Sequence, residues 1–310
     1  MKLTLSREQS HSGSARKTPE AGMVGMLAEF TTEQLVADAL HGSAEALEEI
    51  VRRIQNPVYG LALRMLFHPS DAEDATQEIL TKIVTHLKSF RFEGTFNAWA
   101  LQIAANHLKT MRKSRAEKRE LTMEKAYEVI DKAEAMGWFS EPLEAPEPLM
   151  TLEMHLACTQ ALLLVLDRPH RLAFILGAVM DCSSTEGASI LEISPATFRQ
   201  RLSRARKKVL DFLSANCGLF DESNRCRCEG ILTNHVKRGW IDPNHPLFAS
   251  HCADRNPPAT LRKALKELDK LSRISSFFKF FPRPECSTDF ARTVKGIIDS
   301  NAFLVLSDRQ

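Results

Sequence analysis

The segment "SPATFRQRLSRARKKV", residues 194–209, concentrates positive charge. Six of the ten residues from 199 to 208 are Arg or Lys and none is acidic, although the net charge of the whole chain is only +2. Guanidinium and ammonium groups neutralise phosphates, so a run of this kind is typical of nucleic-acid binding. The alternative is a solvated helix face, but such faces usually mix both signs. The segment therefore favours contact with nucleic acid.

On a helical wheel this segment separates into an apolar stripe and a broad basic surface. The stripe consists of Phe198, Leu202, Ala205, Val209 and Phe212. Upstream, "CSSTEGASILEI" predicts a short amphipathic helix, and "EIS" leaves only a tight turn before Pro195. Two short helices joined by a tight turn, the second one basic, indicate a helix-turn-helix whose second helix enters the DNA major groove.

A group of potential metal ligands follows the basic segment. Cys217, Cys226 and Cys228 form a C-x8-C-x-C pattern, and His235 is the candidate fourth ligand. Such a set suits tetrahedral zinc or another soft metal such as Cu(I). Because C-x-C is not the usual zinc-finger spacing, ordinary reduced cysteines and a thiol redox sensor stay open as alternatives. Nothing else in the sequence calls for a cofactor.

Two further cysteines, Cys158 and Cys182, lie within apolar helical patterns, which predicts a packing role for both.

The helix predicted over residues 95–115 has a polar face that suits single-stranded nucleic acid. That face carries Trp99, Gln102, Asn106, Lys109 and Lys113. A Trp among amides and cations can stack on an unpaired base beside phosphate contacts. The alternative for Trp99 is a partly buried core position. The preceding loop, "FRFEGTF", either closes over a flipped base or caps the helix packing.

The helix predicted over residues 70–89 has an acidic side, on which Asp71, Asp74, Gln77 and Glu78 lie together. An acidic surface repels DNA, so this side meets either a protein partner or water.

The composition predicts that helices position all these residues. The chain has 13 Gly, 14 Pro and two Tyr, with 44% hydrophobic and 26% charged residues, which favours an all-α protein. Its apolar stretches are too short to span a bilayer, and the N-terminus has no signal-peptide core. We therefore expect a cytoplasmic protein with reduced thiols and no membrane contact.

Composition shifts predict two small helical domains joined by a flexible linker. Residues 1–30 read as a disordered leader, 31–115 as a four-helix domain and 116–150 as the linker, which ends in "SEPLEAPEPLM". Within 31–115, one helix is expected to start at Pro57 and another to follow Pro69 with Ser70 as its N-cap.

Residues 151–215 hold the helix-turn-helix, and residues 216–310 form a Cys-rich extension of mixed structure. In this extension we expect helices over 258–274 and 287–300. We expect a loop at "ISSFFKFFPRP", residues 274–284.

The motifs "DAEDATQEIL", "GTFNAWALQIAANHLKTMRKSR" and "SPATFRQRLSRARKKV" occur in this order. Over about residues 35–215 the chain resembles the extracytoplasmic-function (ECF) class of sigma factors in the sigma-70 family. The resemblance implies a bacterial transcription-initiation factor of the stress-response type, which is not an enzyme. Such a factor directs RNA polymerase to specific promoters and helps to melt them. The implied partners are core RNA polymerase (its β′ clamp helices and β flap), promoter DNA and an anti-sigma factor.

The resemblance also implies roles for matching residues. The surface that meets polymerase would contain Asp71, Asp74, Gln77 and Glu78. The −10 element would be opened and held by Phe92, Phe96, Asn97, Trp99, Gln102, Asn106, Lys109 and Lys113. The −35 element would be read and gripped by Thr197, Arg199, Gln200, Arg201, Ser203 and Arg204.

Two features depart from the family pattern. Glu192 stands where the turn between the helices usually has Gly, and "STEGA" stands where "YEEIA" is usual. A non-Gly residue in a left-handed turn costs about 1 kcal/mol, which a folded domain tolerates.

Some ECF factors are similar in carrying a Cys-rich extension that regulates them, so we expect metal- or redox-responsive control. The alternative function is a stand-alone helix-turn-helix regulator whose N-terminal half senses or dimerises.

Overall fold

The computed structural model describes residues 29–139, 147–251, 270–279, 284–286 and 288–291. Within these ranges the regular structure is helical, and the backbones at Cys217 and Cys226 form an isolated β-bridge. The predicted all-α fold is confirmed. In these ranges no helix is both long enough and apolar enough to cross a membrane. Residues 1–28 of the predicted leader lie outside the described ranges.

An N-terminal unit contains four helices, as predicted. They are α1 (Thr32–Leu40), α2 (Ala44–Leu66), α3 (Pro69–Thr85) and α4 (Phe96–Thr110), with a 3-10 turn at Leu87–Ser89. Thr31 begins α1 with a capping box, because its hydroxyl accepts from the Gln34 N–H while the Gln34 side chain accepts from the Thr31 N–H.

Two predicted helix starts in this unit are wrong. Pro57 lies inside α2 rather than at its start. Proline removes one helical hydrogen bond, but its neighbours Ile54 and Val58 are buried, and their packing holds the helix together across it. The N-cap of α3 is His68, not Ser70, and Pro69 takes the first helical position.

The predicted linker, residues 116–150, contains regular structure. A 3-10 turn at Glu117–Arg119 is followed by a 13-residue helix, α5 (Met123–Ala135), which Thr122 caps through the Lys125 N–H. Ala126 and Ala133 form its buried side. Residues 123–135 of the predicted linker are therefore helical, with a narrow apolar face among many exposed charges.

The C-terminal unit carries the predicted helix-turn-helix. Its helices are α6 (Pro148–Leu164), α7 (Arg168–Phe174), α8 (Ser184–Leu191) and α9 (Pro195–Asn216), with a π-helical turn at Ile175–Val179. One hydrophobic core runs through both units, and α4 packs directly on α8. The two units therefore lie against each other.

The extension contributes α10 (Cys228–Lys237), a 3-10 turn at Ala249–His251 and α11 (Lys270–Lys279). The predicted loop at 274–284 is wrong for its first part, because residues 274–279 belong to α11. Phe277 and Phe278 are buried there, and the Phe278 ring lies 5.0 Å from Phe174. Of the two helices expected at 258–274 and 287–300, most residues lie outside the described ranges.

A buried carboxylate on α6 fastens the extension to the C-terminal unit. Glu153 is 2% exposed and accepts hydrogen bonds from the backbone N–H groups of Leu247, Phe248 and Ala249, at 2.8–2.9 Å. The Phe248 ring in turn meets Phe67, at the end of α2, at 5.3 Å. The extension thus contacts both units.

A buried charge cluster also joins the units. The carboxylate of Glu117 pairs with Arg168 at 2.7 Å and with Arg171 at 3.1 Å. Burial acts to raise the pKa of Glu117, but hydrogen bonds from Arg168 and the Ser114 N–H, with the charges of both arginines, hold that pKa below its ordinary value. Because Arg171 also donates to the Met65 carbonyl, this cluster connects the start of α7 to the end of α2.

Candidate nucleic-acid interfaces

Helix α9 presents the basic surface that the sequence predicts. In the apolar stripe Phe198, Ala205, Val209 and Phe212 are buried and Leu202 is half-buried, which confirms the predicted orientation of the helix. Among the residues expected at the −35 element, Arg199, Gln200, Ser203 and Arg204 are exposed, and Thr197 and Arg201 are half-buried.

One cation of α9 takes part in packing. Arg206 donates to the Gly177 carbonyl at 3.1 Å, and burial lowers its pKa. Lys207 pairs with Asp211 at 3.0 Å on the exposed side. The outward basic surface is therefore narrower than the count of cations suggests.

The turn before α9 adopts the left-handed conformation that usually calls for Gly. Glu192 has φ 55° and ψ 45°, and it ends α8. The N–H of Ile193 donates back to the Ala188 carbonyl at 3.0 Å, which closes the helix end. The glycine of the unusual "STEGA" is Gly187, and a Cβ at that position would overlap the ring of Phe198. Close contact between α8 and α9 thus requires Gly187.

The polar face of α4 borders an open cavity of about 530 Å³. Trp99, Gln102, Asn106 and Lys109 line one part of the cavity, with Lys82, His86, Ser89, Ile103, His107, Thr110 and Glu192 around them. The Trp99 ring also contacts Phe90 at 5.6 Å and Phe96 at 5.4 Å. Both sequence interpretations therefore describe part of its environment: Trp99 packs on the aromatic cluster and also faces the cavity.

The aromatic loop before α4 is built around Phe90. Phe90 is buried and meets Phe92 at 4.7 Å and Phe96 at 5.4 Å. Phe92 is 48% exposed with φ 57°, and Asn97 is exposed. The Phe96 ring is fully buried. In this conformation Phe96 supports the loop, and direct contact with DNA is open to Phe92 but not to Phe96.

The acidic side of α3 lies at the surface. Asp74, Gln77 and Glu78 are exposed and Asp71 is half-buried. Glu78 lies 3.5 Å from Nε2 of His107, while the Lys82 ammonium lies 2.6 Å from Nδ1 of the same ring. Burial lowers the pKa of His107 and the Lys82 charge adds to this, with Glu78 acting in the opposite direction. These effects together favour the neutral form of the His107 imidazole, so His107 does not form a full ion pair with Glu78.

Two family models match this chain, over the two units that carry these faces. Sigma-70 region 2 matches residues 50–118, and Sigma-70 region 4 matches residues 156–209. The resemblance to the ECF class of the sigma-70 family is therefore confirmed. The acidic side of α3 and the polar face of α4 lie in region 2, and α9 lies in region 4.

Curated relatives match the same part of the chain. This chain is 27% identical over 187 residues to the RNA polymerase sigma-H factor of Pseudomonas aeruginosa, a match that covers 59% of this chain and 94% of the relative. It is 29% identical over 185 residues to the ECF RNA polymerase sigma-E factor of Escherichia coli K12, covering 59% and 95%.

Among solved structures, that of CnrH in complex with the cytosolic domain of CnrY is 24% identical, with a TM-score of 0.42 and coverage of 58% of this chain and 95% of that one.

The cysteines of the extension lie at the end of the region 4 recognition helix. Cys217 ends α9, and its backbone forms the isolated β-bridge with the backbone of Cys226; no disulfide joins these two cysteines. The Gly218 N–H donates to the Cys226 carbonyl at 3.2 Å. The Asn224 side chain donates to the carbonyls of Leu213, Ser214 and Cys217, at 3.0–3.3 Å. We call residues 217–228 the cysteine loop; these bonds fasten it to α9.

The same loop is tied to α5. Arg225 pairs with Asp131 at 2.7 Å and with Glu134. Tyr127 of α5 also meets Phe212 of α9 at 5.3 Å. The cysteine loop therefore connects the recognition helix to the segment between the two units.

A fourth cysteine, which sequence analysis assigned to packing, belongs to this group. Cys158 on α6 is solvent-accessible. Desolvation, together with the nearby Cys217 and Cys226, raises the pKa of its thiol. Burial likewise raises the pKa of Cys226 to about 12, and that of Cys228 well above its ordinary value. No local pattern marks Cys158, because α6 brings it to the loop from far upstream.

His235 does not join this group. Its ring lies 5.9 Å from Trp138 and 5.1 Å from Trp240, and Arg238 stands over both Trp rings. Across the described ranges no three His, Cys, Asp or Glu side chains are arranged to hold a metal ion. The predicted set of Cys217, Cys226, Cys228 and His235 is thus not assembled in this conformation, because His235 sits in an aromatic cluster instead. Metal binding stays a prediction.

Proposed function

We propose that this chain directs core RNA polymerase to specific promoters and helps to open them. The observation that carries the proposal is the presence, on one chain, of the region 4 helix with its exposed basic side and the region 2 face built around Trp99. The first suits a major groove and the second an unpaired strand. Such a subunit acts in the cytoplasm and supplies promoter choice, while polymerase carries out the chemistry, so it is not itself an enzyme.

In this proposal the exposed side of α9 grips the −35 element. Arg199 and Arg204 suit guanine edges and phosphates because both side chains are exposed. No acidic residue of α9 lies within one helical turn of either arginine. The Trp99 face of α4 holds the −10 strand. The exposed acids of α3 meet a basic surface of core polymerase.

Run-off transcription with purified core polymerase tests the proposal. A promoter selected from genomic fragments should be transcribed only when the chain is present. DNA binding that is indifferent to polymerase, with no dependent transcript, would contradict it and support a stand-alone regulator.

The docking surface has its own test. Replacing Asp74 and Glu78 by Ala should weaken binding to core polymerase about tenfold or more, because each removes a charge from the proposed interface. The matched control replaces Glu120 and Asp211, two exposed acids outside α3, by Ala. If both double variants lose the same affinity, the effect is one of net charge and the assignment to α3 fails.

We further propose that the cysteine loop regulates the factor by binding a soft metal ion such as Zn²⁺. Support comes from the grouping of Cys158, Cys217, Cys226 and Cys228, whose thiols are close enough to raise one another's pKa values. A bound cation stabilises thiolates that burial disfavours. Since the thiols are not arranged as ligands in this conformation, binding would reshape a loop that is fastened to α9.

Elemental analysis of the full chain, purified under reducing conditions, tests the metal. About one zinc per chain is expected, falling in Cys226→Ser but not in Cys182→Ser, a half-buried cysteine outside the loop. Absence of metal rejects the zinc proposal. Loss of two titratable thiols without reductant would then favour redox control instead.

A further inference from the structure

The polar face of α4 touches the turn of the helix-turn-helix in this structure. The side-chain amide of Gln102 donates to Oε1 of Glu192 at 3.0 Å, and that of Asn106 donates to Oε2 of the same carboxylate at 3.0 Å. Both amides belong to the α4 face proposed for the −10 strand, whereas Glu192 belongs to the helix-turn-helix. One carboxylate thus occupies two donors that an unpaired base or a phosphate would otherwise use.

The position of Glu192 in the turn explains its reach. It ends α8 in the left-handed conformation, and α8 packs on α4. Glycine fits this backbone without strain but carries no side chain. With Glu at this position, the turn still closes through the Ile193 N–H, and a carboxylate projects onto the neighbouring unit.

The chemistry of this carboxylate resembles that of the nucleic acid it would exclude. A carboxylate accepts hydrogen bonds and carries negative charge, as a phosphate does. Glu192 also forms part of the wall of the 530 Å³ cavity that Trp99 and Lys109 line. A strand entering this cavity would meet a like charge and two amides that are already bonded.

Other contacts hold the units in this arrangement. Glu117 joins Arg168 and Arg171 across the units, and the extension reaches both through Glu153 and Phe248. By contrast, Arg199 and Arg204 on α9 remain exposed. The contact therefore covers the −10 face and leaves the −35 face open.

We propose that Glu192 is an internal competitor for the −10 strand, which keeps the α4 face closed until the helix-turn-helix unit moves away. The proposal rests on the function proposed above and adds its regulation. Docking on core polymerase would separate the units and release Gln102 and Asn106 for DNA. A free chain would then bind single-stranded DNA poorly, even though it carries the face for it.

Fluorescence anisotropy with the full chain tests this directly. The probe is a labelled single-stranded DNA of degenerate sequence, titrated with wild type, Glu192→Gly and Glu192→Gln. Glu192→Gly keeps the turn and removes both competing hydrogen bonds, so it should bind single-stranded DNA at least about tenfold more tightly, the factor for a single hydrogen bond to a charged group. Glu192→Gln keeps one acceptor oxygen, so its affinity for single-stranded DNA should lie between those of wild type and Glu192→Gly.

Two controls isolate the mechanism. Asp211→Asn removes an exposed acid of α9 and should change affinity by less than about twofold, which measures the general effect of charge. In a Trp99→Ala background, Glu192→Gly should bring no gain, because the released face lacks its stacking ring. The proposal is overturned if neither Glu192 variant binds single-stranded DNA more tightly than wild type. It is also overturned if Glu192→Gly raises the affinity equally in the Trp99→Ala background.

Run-off transcription with the wild-type chain separates this proposal from the function on which it rests. Transcription that depends on the chain, together with unchanged single-strand binding in Glu192→Gly, refutes internal competition alone. A wild-type chain that supports no transcription refutes the proposed function, whatever the anisotropy result.

Discussion

The charge cluster around Glu117 gives a prediction about how firmly the two units are joined. The Glu117 side chain is 5% exposed, and those of Arg168 and Arg171 are 14% and 4% exposed. Glu117→Gln keeps the shape of the side chain but removes its charge. The buried guanidinium of Arg171 and the half-buried one of Arg168 would then lie close together without a carboxylate between them.

The expected loss follows from this burial. Breaking a buried ion pair by removing one partner costs about 3–5 kcal/mol. Arg171 keeps its hydrogen bonds to the Leu166 and Met65 carbonyls, so the lower end applies, about 3 kcal/mol. For a folded part of this size, that lowers Tm by roughly 6–12 °C. Because the cluster joins the units, their unfolding should also separate into two transitions.

Calorimetry and urea denaturation of the full chain measure both effects. The control is Asp211→Asn, which breaks an exposed i,i+4 pair with Lys207 and should cost only about 0.3–0.5 kcal/mol. A loss in Glu117→Gln no larger than in this control would refute the view that the cluster joins the units.

Three further predictions concern the same contacts. Glu153→Gln should weaken the attachment of the extension by about 1–3 kcal/mol, because a carboxylate that accepts three N–H bonds is replaced by an amide; faster amide exchange at Phe248 and Ala249 checks this, and unchanged exchange contradicts it. Trp99→Ala should reduce promoter opening, measured by permanganate footprinting, more than duplex binding, whereas equal losses would support a packing role alone. The depressed pKa of Glu117 implies that its contribution is complete above about pH 4.3 and is lost as pH falls through the lower folded-state pKa; acid unfolding that is the same in wild type and Glu117→Gln would contradict this.

The parts of the fold that sequence predicts well are those with a long uninterrupted period. In α9 the apolar residues recur at helical spacing over about four turns, so the buried and exposed sides could be assigned without coordinates. Pro57 and α5 show where local rules fail. A proline rule predicts a helix start, but buried neighbours on both sides carry α2 through Pro57. In α5 only Ala126 and Ala133 are buried, too few to give a periodic signal.

The site residues show the same division between local and distant information. Trp99, Gln102 and Asn106 share one face of one helix, and spacing alone reveals it. The hydrogen bonds from Gln102 and Asn106 to Glu192 join residues that are far apart in sequence, and only the packing of α4 on α8 brings them together. The sequence does mark Glu192 as unusual, because a non-Gly residue in a left-handed turn has a cost. It does not say what the carboxylate touches.

The cysteine loop and Glu192 lie at opposite ends of one helix, α9. Helix α9 has 22 residues and so spans about 33 Å, with Glu192 just before its first turn and Cys217 at its end. We expect that a change of shape in the loop shifts α9 and, with it, the turn that carries Glu192. If thiol chemistry in the loop and competition by Glu192 both operate, they are therefore coupled. Loading the loop with metal should then change single-strand binding in wild type but not in Glu192→Gly, since only the wild-type turn carries the carboxylate that closes the α4 face.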